Sequence, residues 1–307
     1  MTDTDRQKQP APRVSTAGRA TTARGRLRNT LGAGLGLLAL AGGLVACSDG
    51  TTTDAKATAS ASASPSETPS DAPTVTETTL EPDAPTAKPT DLRQVSCAYR
   101  KDESGSPTKF VGTPPSKLTR KVILAKQMII STNQGEIVID LATKDVPCAV
   151  NSLAFLASKN FYDNTVCHRL ATVETVGLGM LQCGDPLAKG DGTRAQDGAG
   201  GPGYVFDDEN LGGLPLSRGT VGLAQATEDA NSNGSQFFIS FTDENTQLTA
   251  SGAAFTMIGV VSKGMNVIDK IARGGIIPFG GDPTADVRGE GSNAPKKKVV
   301  IKDVAIV

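Results

Sequence analysis

The chain has 307 residues, with 31 basic and 32 acidic side chains and a formal net charge of −1. This balance gives no strong electrostatic case for nucleic acid or for an anionic membrane surface as the partner. With 34 Gly, 3 Tyr and no Trp, the composition favours a β-rich fold with tight turns and a core of Val, Ile, Leu and Phe. Polypeptides or small near-neutral ligands are the expected partners.

The N-terminal segment has the pattern of an export signal. Residues 1–30 contain seven Arg or Lys, and an uncharged apolar run follows from Leu31 to Ala46. A membrane span needs about 20 apolar residues, so this shorter run predicts a cleaved signal peptide over 1–46. The sequence Leu44-Val45-Ala46-Cys47 resembles the bacterial lipobox, in which the Cys is diacylated. Because two acyl chains anchor a protein stably, we expect Cys47 to hold the mature protein on the extracytoplasmic side of the cell membrane.

Two segments of different composition separate this signal from the globular part. Residues 47–93 consist mainly of Ser, Thr, Ala, Pro and Asp. Such a segment buries too little apolar surface to offset its ordering entropy, so we predict a disordered tether behind the lipidated Cys. Residues 94–125 contain Pro114-Pro115 and Cys97. They are predicted to form a partly ordered lead-in, which Cys97 can fasten to the domain.

From residue 126 to 307 the pattern becomes that of a folded domain. Ile137, Ile139 and Leu141 alternate with Glu136 and Asp140, which predicts a half-buried strand after a turn at Asn133–Gly135. Helical spacing predicts one helix that opens at 145–147 and runs to about Asn160. A second helix is expected around 267–271, closed by Gly274-Gly275. Further strands are predicted at 128–135, 219–224, 236–240, 255–260 and 298–302. This arrangement favours a closed barrel with capping helices.

Five sequence fragments carry a family resemblance. They are, in chain order, Phe161–Leu170, Met180–Asp185, Gly200–Asn210, Gly222–Ala226 and Asn233–Ser240. Together they resemble the cyclophilin-type peptidyl-prolyl cis/trans isomerases over residues 126–307. The resemblance implies a mainly β fold, a closed eight-stranded antiparallel barrel with two capping α-helices, and a groove for proline on the outer barrel face. It also implies an enzyme that acts on X-Pro bonds, assists protein folding and works as a monomer.

The chemistry of this reaction agrees with the residues. Rotation about an X-Pro bond is slow because partial double-bond character opposes it by about 18 to 20 kcal/mol. No covalent bond breaks, so no metal or other cofactor is expected. A fixed cationic donor that draws the lone pair of the prolyl nitrogen out of resonance would speed rotation. Arg169 has the required permanent charge and planar fork of donors. The resemblance makes Arg169 the catalytic arginine, whereas a lone Arg on a strand is more often a solvated surface charge.

The remaining site residues are also implied by the resemblance. Gln182 and Phe238 are assigned to the catalytic centre together with Arg169. The residues expected to bind the substrate are Met180, Ala224, Gln225, Ala226, Leu248 and Phe255. Alternation predicts that Phe237 and Phe238 face opposite sides of their strand, one in the core and one in the groove. Taken singly, each apolar residue is more often plain core, and Leu248 and Phe255 match the family only with a change of loop length.

Three other features receive structural interpretations. His168 is the only histidine, but alternation places it on the face opposite Arg169, and the reaction needs no proton transfer. The glycine-rich run 190–203 lacks a Gly-Lys-Ser/Thr ending and is predicted to be a surface loop. The acidic run 207–209 lacks calcium-loop spacing and is predicted to be solvated.

Four further cysteines form an even set in a chain expected to be exported, where disulfides persist. They are Cys97, Cys148, Cys167 and Cys183. Their spacing fits no metal site, and four cysteines allow three pairings, with free buried thiols as the alternative. The family pairs the strands of Cys167 and Cys183 as a hairpin, so the resemblance implies a Cys167–Cys183 bond and leaves Cys97 for Cys148.

Two departures from the family predict a weaker groove. Gly179 stands where an aromatic usually begins the Met-Leu-Gln segment, and Gln247 stands where many members carry a Trp. Loss of aromatic area predicts weak binding of proline and of cyclosporin, and aromatics at 179 and 247 are expected to restore both. A weakened groove also keeps open two other classes of function. These are a non-catalytic chaperone or adhesion module that holds proline-containing segments, and a structural component of the envelope.

Overall fold

The structure is a computed structural model that describes residues 91–225 and 230–307. The predictions for the signal peptide, Cys47 and the tether, and for Ala226, fall outside these residues. The strands are β1 Tyr99–Lys101, β2 Gln127–Thr132, β3 Glu136–Leu141, β4 Arg169–Ala171, β5 Met180–Cys183, β6 Tyr204–Phe206, β7 Thr220–Gln225, β8 Asn233–Ser240, β9 Met257–Lys263, β10 Ile276–Ile277, β11 Ala294–Pro295 and β12 Ile301–Ile306. The helices are α1 Arg120–Ile123, α2 Pro147–Ser158, α3 Val173–Val176, α4 Thr246–Ala250 and α5 Met265–Ala272, with 3-10 turns at Leu92–Gln94 and Phe279–Gly281.

Eight of the strands form one curled antiparallel sheet. Their order is β12, β2, β3, β9, β7, β8, β5, β4, and β6 and β1 extend the sheet from β8. The two outer strands of the eight come together because Val166 bridges Val300. Ile301 N also donates to Thr165 O at 2.9 Å, and Cys167 N donates to Val299 O at 3.1 Å. The mainly β, eight-stranded antiparallel fold with two main helices is therefore confirmed.

The two main helices, α2 and α5, lie where the sequence pattern places them. Pro147 occupies the first turn of α2, where its missing N–H costs no hydrogen bond. Glu209 accepts hydrogen bonds from Cys148 N at 3.0 Å and Ala149 N at 2.7 Å. The prediction that the acidic run is simply solvated is wrong for Glu209, because this carboxylate caps α2. Burial raises the pKa of Glu209, while the bonds from Ala149 and Cys148 oppose that rise.

The last strand begins later than its sequence pattern predicts. The prediction was 298–302, whereas β12 is Ile301–Ile306. The difference arises at the β2–β3 turn, where Asn133 N donates to Val300 O at 3.0 Å and Asn133 Oδ1 accepts from Val300 N at 2.8 Å. The turn thus occupies the backbone of Val300, and the ladder with β2 starts at Ile301, opposite Thr132.

The lead-in is an integral part of the domain. β1 pairs with β6, and the ring of Tyr99 packs edge-on against those of Tyr204 and Phe206, each with centroids 5.6 Å apart. A disulfide joins Cys97 to Cys148 at the start of α2, and a second joins Cys167 to Cys183. These are the two pairs that the resemblance implied. In the part of the chain described, no helix is long and apolar enough to cross a membrane.

Candidate active site

The three residues predicted to be catalytic lie in one row across three adjacent strands. Arg169 on β4 is opposite Gln182 on β5, and Gln182 is opposite Phe238 on β8. Residues directly opposite in an antiparallel ladder project from the same face of the sheet. The row continues to Gly222 on β7, where an added Cβ would lie 2.6 Å from Phe238 Cζ. Glycine at this position therefore leaves room for the Phe238 ring.

Arg169 is held from two sides. Its Nε donates to Asp286 Oδ1 at 2.9 Å and Oδ2 at 3.1 Å, and its Nη1 donates to Gln182 Oε1 at 3.4 Å. The side chain of Arg169 is 26% exposed and that of Asp286 is 5% exposed. A guanidinium has further N–H donors, so these two partners leave part of the fork available to a substrate.

Two residues of this polar network were missed by the sequence analysis. Gln182 Nε2 donates to Gln236 Oε1 at 2.9 Å, and Gln236 Nε2 donates in turn to Gly198 O at 2.7 Å and Gly200 O at 2.9 Å. Alternation along β8 could have indicated Gln236, because it shares a face with Phe238. Asp286 gave no such signal, since it lies on an irregular loop far along the chain from Arg169.

An apolar cluster adjoins the polar network on the same face. Its buried members are Ala171, Met180, Leu216, Phe238 and Met257, and its partly buried members are Val176, Leu178, Leu214, Ala224, Leu248 and Phe255. The rings of Phe238 and Phe255 meet edge-on, with centroids 5.2 Å apart. Met180 is 7% exposed and Phe238 is 3% exposed. The structure thus brings together Met180, Ala224, Phe238, Leu248 and Phe255, which were predicted from separate segments.

Two cavities flank these residues. The larger, of about 450 Å³, is lined by Arg169, Gln182, Gln236 and Asp286, and it extends past Ala224 and Gln225 to Asp102 and Ser106 of the lead-in. The smaller, of about 200 Å³, is apolar and includes Leu214, Leu216, Phe255 and Met257 in its lining. The side-chain amide of Gln225 donates to both carboxylate oxygens of Asp208 at 3.1 Å. Gln225 therefore reaches the larger cavity with its amide already engaged.

The adjacent residues Phe237 and Phe238 on β8, and His168 and Arg169 at the start of β4, divide between the interior and the groove face. Phe237 belongs to the main core, whereas Phe238 belongs to the groove cluster. His168 is fully buried, and neither ring nitrogen has a hydrogen-bond partner among the described residues. Burial lowers the pKa of His168 to about 4, against the opposing effect of Asp185 and Asp197. A buried neutral imidazole behind Arg169 fits a structural residue.

The expectation that an aromatic at position 179 would restore the groove is wrong. An added Cβ at Gly179 would lie 2.9 Å from Phe241 Cε2 and would overlap the methyl group of Thr242. Gly179 is also fastened through its backbone, because its N–H donates to Asn245 Oδ1 at 2.8 Å and its carbonyl accepts from Asn245 Nδ2 at 2.8 Å. The close approach of the Phe241–Thr242 segment therefore requires glycine here. Only Gln247, which is exposed on α4, remains a site for an added aromatic.

A row of Arg, Gln and Phe beside an apolar cluster on a curled eight-stranded sheet defines a cyclophilin-like protein. The chain belongs to the family of cyclophilin type peptidyl-prolyl cis-trans isomerases, whose model matches residues 127–306. It is 37% identical over 218 residues to a probable peptidyl-prolyl cis-trans isomerase B of Mycobacterium leprae, and 34% identical over 228 residues to that of Mycobacterium tuberculosis. These matches cover 64% and 67% of this chain, but only 65% and 66% of the relatives.

A more distant relative and one solved structure complete the comparison. A peptidyl-prolyl cis-trans isomerase of Acinetobacter baylyi is 32% identical, with 60% of this chain and 87% of the relative covered. A Cryptosporidium parvum cyclophilin type isomerase, crystallised in the presence of the dipeptide Ala-Pro, is 25% identical with a TM-score of 0.46. That match covers 59% of this chain and 98% of the crystallised one.

Proposed function

We propose that the protein catalyses cis/trans isomerisation of X-Pro bonds in extracytoplasmic polypeptides and thereby assists their folding. The observation that carries this proposal is the single row of Arg169, Gln182 and Phe238 on one face of the sheet. A permanent cation and an apolar aromatic cluster are thus adjacent, as rotation of a proline peptide requires.

In this proposal Arg169 accelerates the rotation about the X-Pro bond. Its charged fork donates toward the prolyl nitrogen as the amide twists, and the nitrogen lone pair becomes available only in the twisted state. An interaction that strengthens in the transition state lowers the barrier rather than merely binding the substrate. A preorganised charged donor of this kind contributes about 3 to 4 kcal/mol, or roughly 10² to 10³ in rate.

The apolar cluster supplies the binding. Phe238 and Met180 belong to the apolar cluster beside the polar network, and burial of the proline ring against that cluster contributes about 25 cal/mol per Å² of apolar surface. Ala224 and Gln225 of β7 line the larger cavity, where their backbone can bind the peptide on either side of the proline.

The test is a protease-coupled isomerisation assay of the purified chain and of its Arg169→Ala variant. We expect kcat/KM to fall by roughly 10² or more, with circular dichroism and the melting temperature nearly unchanged. An Arg169→Ala protein that keeps its activity would remove Arg169 from the mechanism.

The same assay tests a second function, in which the groove holds proline-containing segments without turnover. The observation that favours holding is Gln247, whose amide donates to Gly177 O at 2.7 Å at a position where many family members carry an aromatic. Peptide binding by calorimetry without any isomerisation by the wild-type chain would support the holding function and exclude the enzyme.

We also propose that Cys47 anchors the mature protein to the cell membrane as a lipoprotein. The support is the sequence Leu44-Val45-Ala46-Cys47 after the apolar run. Cys47→Ser is expected to abolish acylation and to leave an unprocessed precursor or a secreted form. An unmodified Cys47, or cleavage at another site, in mass spectrometry of the native N-terminus would exclude the anchor.

A further inference from the structure

We propose that Asp286 is a positioning residue for catalysis, because it fixes the plane of the Arg169 guanidinium beside the groove. This inference rests on the proposed function, since it gives Arg169 the catalytic role. The five family fragments of the chain do not include Asp286, which is brought to the site by the fold of the loop 279–293.

The contact between Asp286 and Arg169 is directional. Both carboxylate oxygens of Asp286 approach Nε, at 2.9 and 3.1 Å. Nε is the guanidinium nitrogen bonded to Cδ, so Asp286 contacts the group on the side of the aliphatic chain. Nη1, at the far end, faces Gln182 instead. The two contacts fix both the position and the tilt of the fork, and Arg169 lines the larger cavity.

The loop that carries Asp286 is itself fastened to β4. Asn293 is fully buried, and its carbonyl accepts from Leu170 N at 2.8 Å, one residue from Arg169. The Asn293 side chain closes the loop, because Oδ1 accepts from Phe279 N at 3.0 Å and Nδ2 donates to Pro283 O at 2.8 Å. The neighbour of Asp286, Ala285, is also buried. The carboxylate is therefore presented by a loop that is hydrogen-bonded to β4, the strand that carries Arg169.

Fixing this side chain matters because arginine is long. A free Arg side chain samples many rotamers, and a displacement of about 1 Å at a reacting centre can cost up to roughly 10²-fold in rate. A carboxylate near Arg169 could also act in the opposite direction. Its negative charge would weaken the field of the guanidinium at the prolyl nitrogen, and Asp286 would then slow the reaction. The geometry favours positioning, since the carboxylate faces Nε and leaves the outer donors unobstructed.

The experiment compares Asp286→Ala and Asp286→Asn in the full chain. We expect kcat to fall about 10-fold in Asp286→Ala, with KM changed less than about twofold and the melting temperature close to wild type. Asp286→Asn should keep part of the rate, because the amide oxygen still accepts one bond from Nε. The control is Asp282→Asn on the same loop, which lies on the surface and pairs with Arg288. It should leave the rate unchanged.

A double-variant cycle separates positioning from a structural role. In an Arg169→Ala background, Asp286→Ala should cause no further loss of rate, because there is no guanidinium to position. An equal loss in both backgrounds, a loss that follows a lower melting temperature, or a faster Asp286→Ala enzyme would overturn the inference. If the Arg169→Ala variant is inactive and the Asp286→Ala variant is fully active, only the inference about Asp286 is overturned. A fully active Arg169→Ala would overturn the proposed mechanism as well.

Discussion

The polar and the apolar halves of the groove face are built by different means. The polar half, formed by Asp286, Arg169, Gln182 and Gln236, depends on a few hydrogen bonds between side chains of separate strands and a loop. The apolar half, around Phe238, depends on the joint packing of many side chains. A substitution in the polar half removes a specific hydrogen bond, whereas the apolar half tolerates the exchange of one apolar side chain for another of similar volume. Variants in the polar half should therefore change the rate, and variants in the apolar half should change binding and stability.

The largest expected effect comes from the adjacent pair on β8. Phe237→Ala opens a cavity in the main core, so the free energy of unfolding should fall by about 3 to 5 kcal/mol. Phe238→Ala removes a ring from the smaller groove cluster, so it should lose less stability and should raise KM instead. Urea unfolding and steady-state kinetics measure both quantities. A Phe237→Ala protein with raised KM and unchanged stability would contradict the division into core and groove.

The second prediction is a fall of about 3 kcal/mol in the free energy of unfolding at acid pH, caused by His168, which is buried behind Arg169. Because burial lowers the pKa of His168 from 6.5 to about 4, the folded state disfavours the charged imidazole. The stability due to neutral His168 is fully present above pH 6.5 and is lost as the pH falls toward 4, by about 3 kcal/mol.

The carboxylates of the chain also titrate in that range, so a variant isolates the contribution of His168. His168→Gln should flatten the fall in unfolding free energy between pH 6.5 and 4 relative to wild type. Parallel pH profiles for the two proteins would show that His168 does not carry this part of the acid sensitivity.

A smaller effect tests the inner end of the polar half. Gln236→Leu deletes the acceptor of Gln182 Nε2 and so releases Gln182 beneath Arg169. We expect kcat to fall about 10-fold, which corresponds to the worth of about one hydrogen bond, with KM nearly constant. Gln127→Leu is the matched control, because its amide bonds an exposed carboxylate on β3. Equal kinetics for both variants would show that the network ends at Gln182.

The smallest expected effect adds area to the apolar half. Gln247 is exposed on α4, next to Leu248 of the groove cluster. Gln247→Trp should tighten the binding of proline peptides and of cyclosporin a few-fold, since an aromatic contact contributes about 0.5 to 1.5 kcal/mol. Calorimetry measures the change, and Gln247→Leu controls for added apolar surface without a ring. Tight cyclosporin binding by the wild-type chain would contradict the prediction of a weak groove.

The sequence predicts well which side chains of a strand share a face, because their direction alternates regularly along the strand. Alternation places His168 and Arg169 on opposite faces and separates Phe237 from Phe238, because side chains of a strand point alternately to its two sides. The family fragments then identify which face is the groove. The cysteine pairing follows from the same resemblance, since the bonds join elements whose order the fragments already fix.

What the sequence does not predict depends on contacts between distant irregular segments. Asp286 meets Arg169 across 117 residues, with no periodic pattern to connect them. Glu209 caps α2 from 60 residues beyond Ala149, so its local acidic neighbours suggest a solvated run instead. The sequence likewise predicts a missing aromatic at Gly179, because the close approach of the Phe241–Thr242 segment is visible only in the fold. Each of these depends on tertiary packing that no local window contains.

The bond between Cys97 and Cys148 determines how a mechanical load enters the domain. Tension applied through the residues before Cys97 passes across the sulfur bridge to the first turn of α2. It therefore bypasses residues 98–147, which include β1, β2 and β3. In the reduced protein the same tension would act on β1, and its three residue pairs with β6 would separate one after another. The disulfide thus keeps tension on the residues before Cys97 from separating β1 from β6.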